Sequence, residues 1–157
     1  MRPSHTTIDN QPKLIAEVWE ANRQQWETMV RQTEEVPPQA TVVAISLDGV
    51  MAPVRQADGP KKEAMTGCGS VALYDQAGQR LNTVRYGRMP ERKKATLRQQ
   101  LTAECQHILH QAPSLKVVKL ADGTPDNWDY LSKLELGLSP AALANLEQIE
   151  IVDFCHA

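Results

Sequence analysis

Hydrophobic and polar positions divide this chain into one helical stretch, three successive strands and a half in which strands and helices alternate. From Pro12 to Glu34, apolar residues recur at Ile15, Val18, Trp19, Trp26, Met29 and Val30, interrupted at Asn22. That spacing predicts one helix face, with Pro12 at its start and the two tryptophans as core or partner contacts. Val36-Pro37-Pro38-Gln39 then reads as a short stiff linker. Val42, Val43, Ile45 and Leu47 predict a strand running into a corner at Asp48-Gly49. Val50–Val54 extends it as a rim strand, and Arg55–Thr66 reads as a loop. Cys68–Asp75 and Arg80–Tyr86 flank Gln76-Ala77-Gly78 and predict a hairpin. Strands joined in succession without a helix must be largely antiparallel.

The second half changes period. A helix is predicted from Pro90 to about Gln111, with Leu97, Leu101, Cys105, Ile108 and Leu109 on one face. Val117, Val118 and Leu120 make a short, mostly buried strand that stops at Asp122-Gly123, where Thr124 and Pro125 read as N-cap and first residue of a helix to about Leu134. Ser139-Pro140 announces another helix, and Ile149, Ile151 and Val152 a last strand. Trp128 is expected to pack its helix onto the sheet, and Asn127 to serve the helix start first and DNA second.

Composition narrows the class. The 157 residues, 41% of them hydrophobic, suffice for one ordinary core, with 1–39 read as a helix and linker and 40–157 as the globular part. No apolar run approaches the roughly 18 residues of a membrane span and the N-terminus lacks a signal-peptide core, so a soluble, cytoplasmic chain with no membrane partner is expected. Cys68, Cys105 and Cys155 are odd in number and widely spaced, which supports neither a disulfide framework nor a zinc knuckle. A net charge of −2 argues against strong nucleic-acid binding by the chain as a whole.

Charge is nevertheless unevenly placed. Arg85, Arg88, Arg92, Lys93, Lys94 and Arg98 crowd around the junction between the third strand and the helix after it, either as a solvated face or as a phosphate-facing patch. The two Asp-Gly corners carry the other chemistry. If their strands are neighbours, Asp48 and Asp122 stand side by side, and paired carboxylates are relieved by a divalent cation such as Mg²⁺ or Mn²⁺. The alternative is that each is a turn aspartate bonding backbone amides.

Three antiparallel strands followed by helix, strand, helix, strand is the order of an RNase H-like domain, in which strand one lies beside strand four and their ends carry acidic metal ligands. SLDGVMAPVR around Asp48, GCGSVALYDQAGQRL with the following YGRMPE, LADGTPDNWDYL around Asp122 and the terminal VDFCHA cover Ala40–Ala157. In these words the chain resembles DDE-type insertion-sequence transposases of the ISKra-type group. The resemblance implies a core that binds two Mg²⁺ (or Mn²⁺) ions and cuts and joins DNA, with Asp48 and Asp122 as catalytic metal ligands and Asp153 and His156 as auxiliaries. It implies DNA, and possible pairing with full-length transposase, as partners. In that family the third carboxylate sits on a helix after the fifth strand. The chain therefore reads as a truncated core lacking its C-terminal catalytic helix, expected to be inactive alone, with a non-catalytic module that inhibits transposition as the alternative.

Overall fold

The computed structural model describes residues 5–54 and 62–153, which fall into two compact units, Met1–Glu35 and Val36–Ala157. The first is a single helix, α1 (His5–Gln32), which starts before Pro12 and carries that proline within it. One helix has no second element in its own unit to bury an apolar stripe. On that stripe the Trp19 and Trp26 rings meet at 5.2 Å between centroids, and among the described residues Trp19 is exposed.

The second unit is built on a five-stranded mixed sheet. Its strands are β1 (Val42–Val54), β2 (Lys62–Tyr74), β3 (Arg80–Arg88), β4 (Lys116–Ala121) and β5 (Gln148–Val152), in the spatial order β3-β2-β1-β4-β5. β2 runs antiparallel to β1 and β3, while β4 is parallel to β1 and β5 parallel to β4. The helices are α2 (Ala95–Gln111), α3 (Pro125–Ser132) and α4 (Pro140–Asn145). This is the RNase H-like arrangement expected from element order, with strand four beside strand one. No described helix is long and apolar enough to cross a membrane.

The core lies on one face of the sheet. Val43, Ile45 and Leu47 of β1 and Val117 and Ala121 of β4 are buried with Leu97, Leu101, Cys105 and Leu109 of α2, as period-2 and period-3.6 stripes require of a sheet and helix packed face to face. The hairpin forms where its turn residues stand: Gly78 takes a positive φ of 78° and its N–H donates to the Asp75 carbonyl. Ser139 caps α4 by accepting from the Ala142 N–H.

Four expectations are corrected. Asp48-Gly49 is no corner: β1 continues to Val54, with Asp48 opposite Cys68, Gly49 opposite Gly67 and Val54 opposite Lys62. A long antiparallel ladder with β2 continues through these residues and overrides the turn preference of the dipeptide. For the same reason Lys62–Thr66 is strand, not loop, while residues 55–61 lie outside the described residues. β4 alternates, so that Lys119 is buried and Val118 and Leu120 are only half-buried. Lastly, the helix predicted from Pro90 begins at Ala95, after a 3-10 turn (Arg92–Lys94) in which Lys93 and Lys94 have φ of 56° and 51°. The left-handed region costs a non-glycine residue about 1–2 kcal/mol. The cap of α2 comes from Glu91, whose Oε1 accepts the Leu97 N–H at 2.9 Å.

Candidate functional site

Register places three aspartates in one row. The β1–β4 pairing ends at Leu47 opposite Ala121, and the β4–β5 pairing ends at Ala121 opposite Val152. The next residue on each strand is Asp48, Asp122 and Asp153. The Asp153 N–H donates to the Ala121 carbonyl at 2.8 Å, which carries the ladder one step further. All three aspartates line one pocket of about 150 Å³ with Ser46, Leu47, Leu120 and Ala121. It lies at the carboxyl ends of β4 and β5, where open α/β sheets bind ligands.

Each carboxylate has its own surroundings. Asp48 Oδ1 accepts from the N–H of Gly49 at 2.6 Å. Asp122 is held more closely: Oδ2 accepts the Thr124 hydroxyl at 2.6 Å, and Oδ1 accepts the Thr124 N–H at 3.1 Å and the Asn127 amide at 2.9 Å. The Thr124 hydroxyl, then the Asn127 and Thr124 N–H bonds and the charge of Lys94, keep this carboxyl below the usual carboxylate range against a smaller opposing effect of burial. Thr124 thus serves Asp122 and makes no side-chain cap on α3. The indole N–H of Trp128 donates to the Asp122 carbonyl at 2.7 Å, so this tryptophan fixes the strand end as well as packing against the core.

Lys94, at the end of the 3-10 turn before α2, is linked to Asp122 through Asn127. It is 7% exposed, and its ammonium donates to Asn127 Oδ1 at 2.7 Å. Asn127 is buried too, and its amide also approaches the Leu47 carbonyl at 3.4 Å, so one side chain joins β1, β4, α3 and the entry to α2. The lysine stem passes over a floor of paired glycines. A Cβ on Gly67 would stand 3.4 Å from Lys94 Cγ, and one on Gly49 3.3 Å from Lys94 Nζ. Cys68, opposite Asp48, has its thiol pushed upward by burial and by Asp48, with Lys94 pulling the other way.

The three carboxylates have the donor chemistry that Mg²⁺ or Mn²⁺ prefers. As arranged, however, no group of three His, Cys, Asp or Glu side chains among the described residues converges to hold an ion. Both Asp122 oxygens accept bonds, from Thr124 and Asn127.

The six basic candidates differ in exposure, with Arg88 half-buried. Arg85, Arg92 and Lys93 are exposed. Arg98 pairs with Asp126 at 2.7 Å and lies over the Tyr130 ring at 5.4 Å. Lys94 departs from the expectation of a nucleic-acid contact, because it is buried against Asn127. Asn127 likewise is closed to DNA by its burial. His156 lies outside the described residues. Sequence reasoning missed the Lys94–Asn127–Asp122 connection; the nearest signal was Asn127 in the word DGTPDN, one helical turn beyond the strand end.

No protein-family model matches the chain, and no curated protein matches it. Among solved structures the chain is similar to LC11-RNase H1 in complex with an RNA/DNA hybrid, at 12% identity and a TM-score of 0.38, over 73% of this chain and 88% of that one. A likeness at that level says nothing of chemistry or ligand.

Proposed function

We propose that the second unit is a nucleic-acid-processing core that breaks phosphodiester bonds with divalent cations, of the DDE transposase type that the words around Asp48 and Asp122 resemble. The observation that carries the reading is the row Asp48, Asp122, Asp153 on three adjacent strands around one pocket. In this reading Asp48 and Asp122 are the metal ligands, and Asp153, an auxiliary by the resemblance, stands in for the third carboxylate that the family carries on a later helix, so that activity is proposed where the sequence alone implied an inactive core. A bound Mg²⁺ or Mn²⁺ would polarise a phosphoryl oxygen and assist the attacking and leaving oxygens. The chain's own part is to place the carboxylates. β1 and β4 fix the spacing of Asp48 and Asp122, and Trp128 and Asn127 hold the backbone and carboxylate of Asp122. Exposed Arg85, Arg92 and Lys93 offer charge for a phosphate backbone, and DNA is the proposed substrate.

Incubating the protein with supercoiled plasmid in Mg²⁺ or Mn²⁺ tests this. Nicking that falls by about 100-fold or more in Asp48→Asn and Asp122→Asn is expected, since positioning and metal assistance together account for several kcal/mol of the barrier. Absence of nicking by folded protein in either cation overturns it. A second reading is favoured by the bonds that already engage Asp122: a non-catalytic module that pairs with full-length transposase or DNA ends and inhibits transposition.

A further inference from the structure

We propose that the Lys94 ammonium is an internal counter-cation of the aspartate row, and that a divalent cation entering the pocket must compete with it. The inference rests on the reading of that row as a cation site. A buried ammonium needs opposite charge close by, because its desolvation is not repaid by a neutral partner alone. The partner of Lys94 is neutral, Asn127 Oδ1 at 2.7 Å. The compensating charge stands one bond further on, at Asp122, which the same amide holds at 2.9 Å.

Three observations agree with that role. The Asn127 side chain bridges the two, accepting from the Lys94 ammonium at 2.7 Å and donating to Asp122 at 2.9 Å, and the charge of Lys94 is the smallest of the influences that lower the Asp122 carboxyl. The facing glycines Gly49 and Gly67 lie against the lysine, a Cβ on Gly49 standing 3.3 Å from Lys94 Nζ and one on Gly67 3.4 Å from Lys94 Cγ, although the tightest contacts of those added atoms would be with Met65 and Leu97 at 2.8 Å. Two successive left-handed residues, Lys93 and Lys94, precede α2 where a regular helix start was expected.

Removing the positive charge should free the row for a metal ion. Mn²⁺ binding, read from the loss of the free-ion paramagnetic resonance signal, is expected to be at least about ten-fold tighter in Lys94→Met than in the unaltered chain, given Coulomb coupling at this range. Lys94→Arg, which keeps the charge, should bind Mn²⁺ as the unaltered chain does. Adding Asp122→Asn to Lys94→Met should abolish the gain. Equal or weaker Mn²⁺ binding by Lys94→Met overturns the proposal, as does a gain that survives Asp122→Asn. If Lys94→Met is unfolded without metal, circular dichroism during a Mn²⁺ titration serves instead: folding induced by the ion supports the proposal, and a chain still unfolded in millimolar Mn²⁺ overturns it. The two readings separate cleanly. Tighter Mn²⁺ binding without plasmid nicking upholds the counter-cation and removes the nuclease, whereas nicking with unchanged Mn²⁺ affinity does the reverse.

Discussion

At the scale of single residues, Asn127 ties the most groups together. It accepts from Lys94, donates to Asp122 and approaches the Leu47 carbonyl, all while buried. Asn127→Ala leaves the Lys94 ammonium buried without its acceptor, and losing a hydrogen bond to a charged group costs about 1.5–3 kcal/mol. Urea unfolding of Asn127→Ala should show a loss of about that size, whereas a change below about 1 kcal/mol would mean that the amide does not hold the ammonium. Cys105 illustrates the opposite case of a reactive group made inert. It is fully buried, and burial pushes its thiol up to about 12, so it has little thiolate character in the native state.

Elements meet most closely where glycine stands on a strand. Gly69 sits opposite Leu47 in the β1–β2 ladder, and a Cβ there would come within 2.8 Å of Leu101 Cδ1 on α2 and 3.0 Å of the Ser46 carbonyl. Because the carbonyl belongs to the sheet itself, the clash cannot be relieved by one side chain turning. Gly69→Ala should therefore cost about 1–3 kcal/mol, the usual cost of overpacking. Gly87 on β3 has nothing within 4 Å of the same added atom. Gly87→Ala is expected to be neutral or to stabilise by less than about 1 kcal/mol, through a more restricted unfolded chain. Thermal melts of the two variants side by side check the prediction, and equal effects would contradict it. β5 differs from the other strands, being exposed along its whole length at the edge of the sheet, where Ile149 and Ile151 offer apolar surface for association.

For the whole molecule, groups with shifted ionisation set a window of stability. Glu91 is held below the usual carboxylate range, the bonds from Leu97 and Thr96 outweighing the burial that opposes them. A lowered folded value contributes stability above the unfolded value of about 4.3 and loses it as pH falls through the folded one. Asp122 acts in the same direction. On the alkaline side, burial raises Cys105 and Tyr130 each to about 12. Their contribution is complete below the unfolded values of about 8.5 and 10 and is lost as pH climbs through the folded ones. Unfolding free energy should thus be flat from about pH 5 to 8 and fall on both sides. Glu91→Gln should make the acid fall shallower and leave the alkaline fall unchanged, as measured by urea unfolding across pH. An acid limb identical to that of the unaltered chain would show that Glu91 does not carry it.

Hydrophobic periodicity by itself determined the order of elements, the apolar face of α2, the hairpin at Gly78 and the cap at Ser139, because each depends on residues close in sequence. It also placed Asp48 and Asp122 at the ends of two apolar runs, whose adjacency entered only as a condition until the β1–β4 pairing supplied it. Tertiary structure decided the rest. Asp48-Gly49 became mid-strand only because β2 lies alongside to pair with it. Asp153 joined the row through the parallel register of β5 on β4, which no local pattern encodes. Lys94 left the basic cluster for the interior because Gly49, Gly67 and Asn127, far from it in sequence, gave its stem a path and its ammonium an acceptor. A surface lysine and a buried one are the same letter in the chain, and only the space and charge that surround it distinguish them.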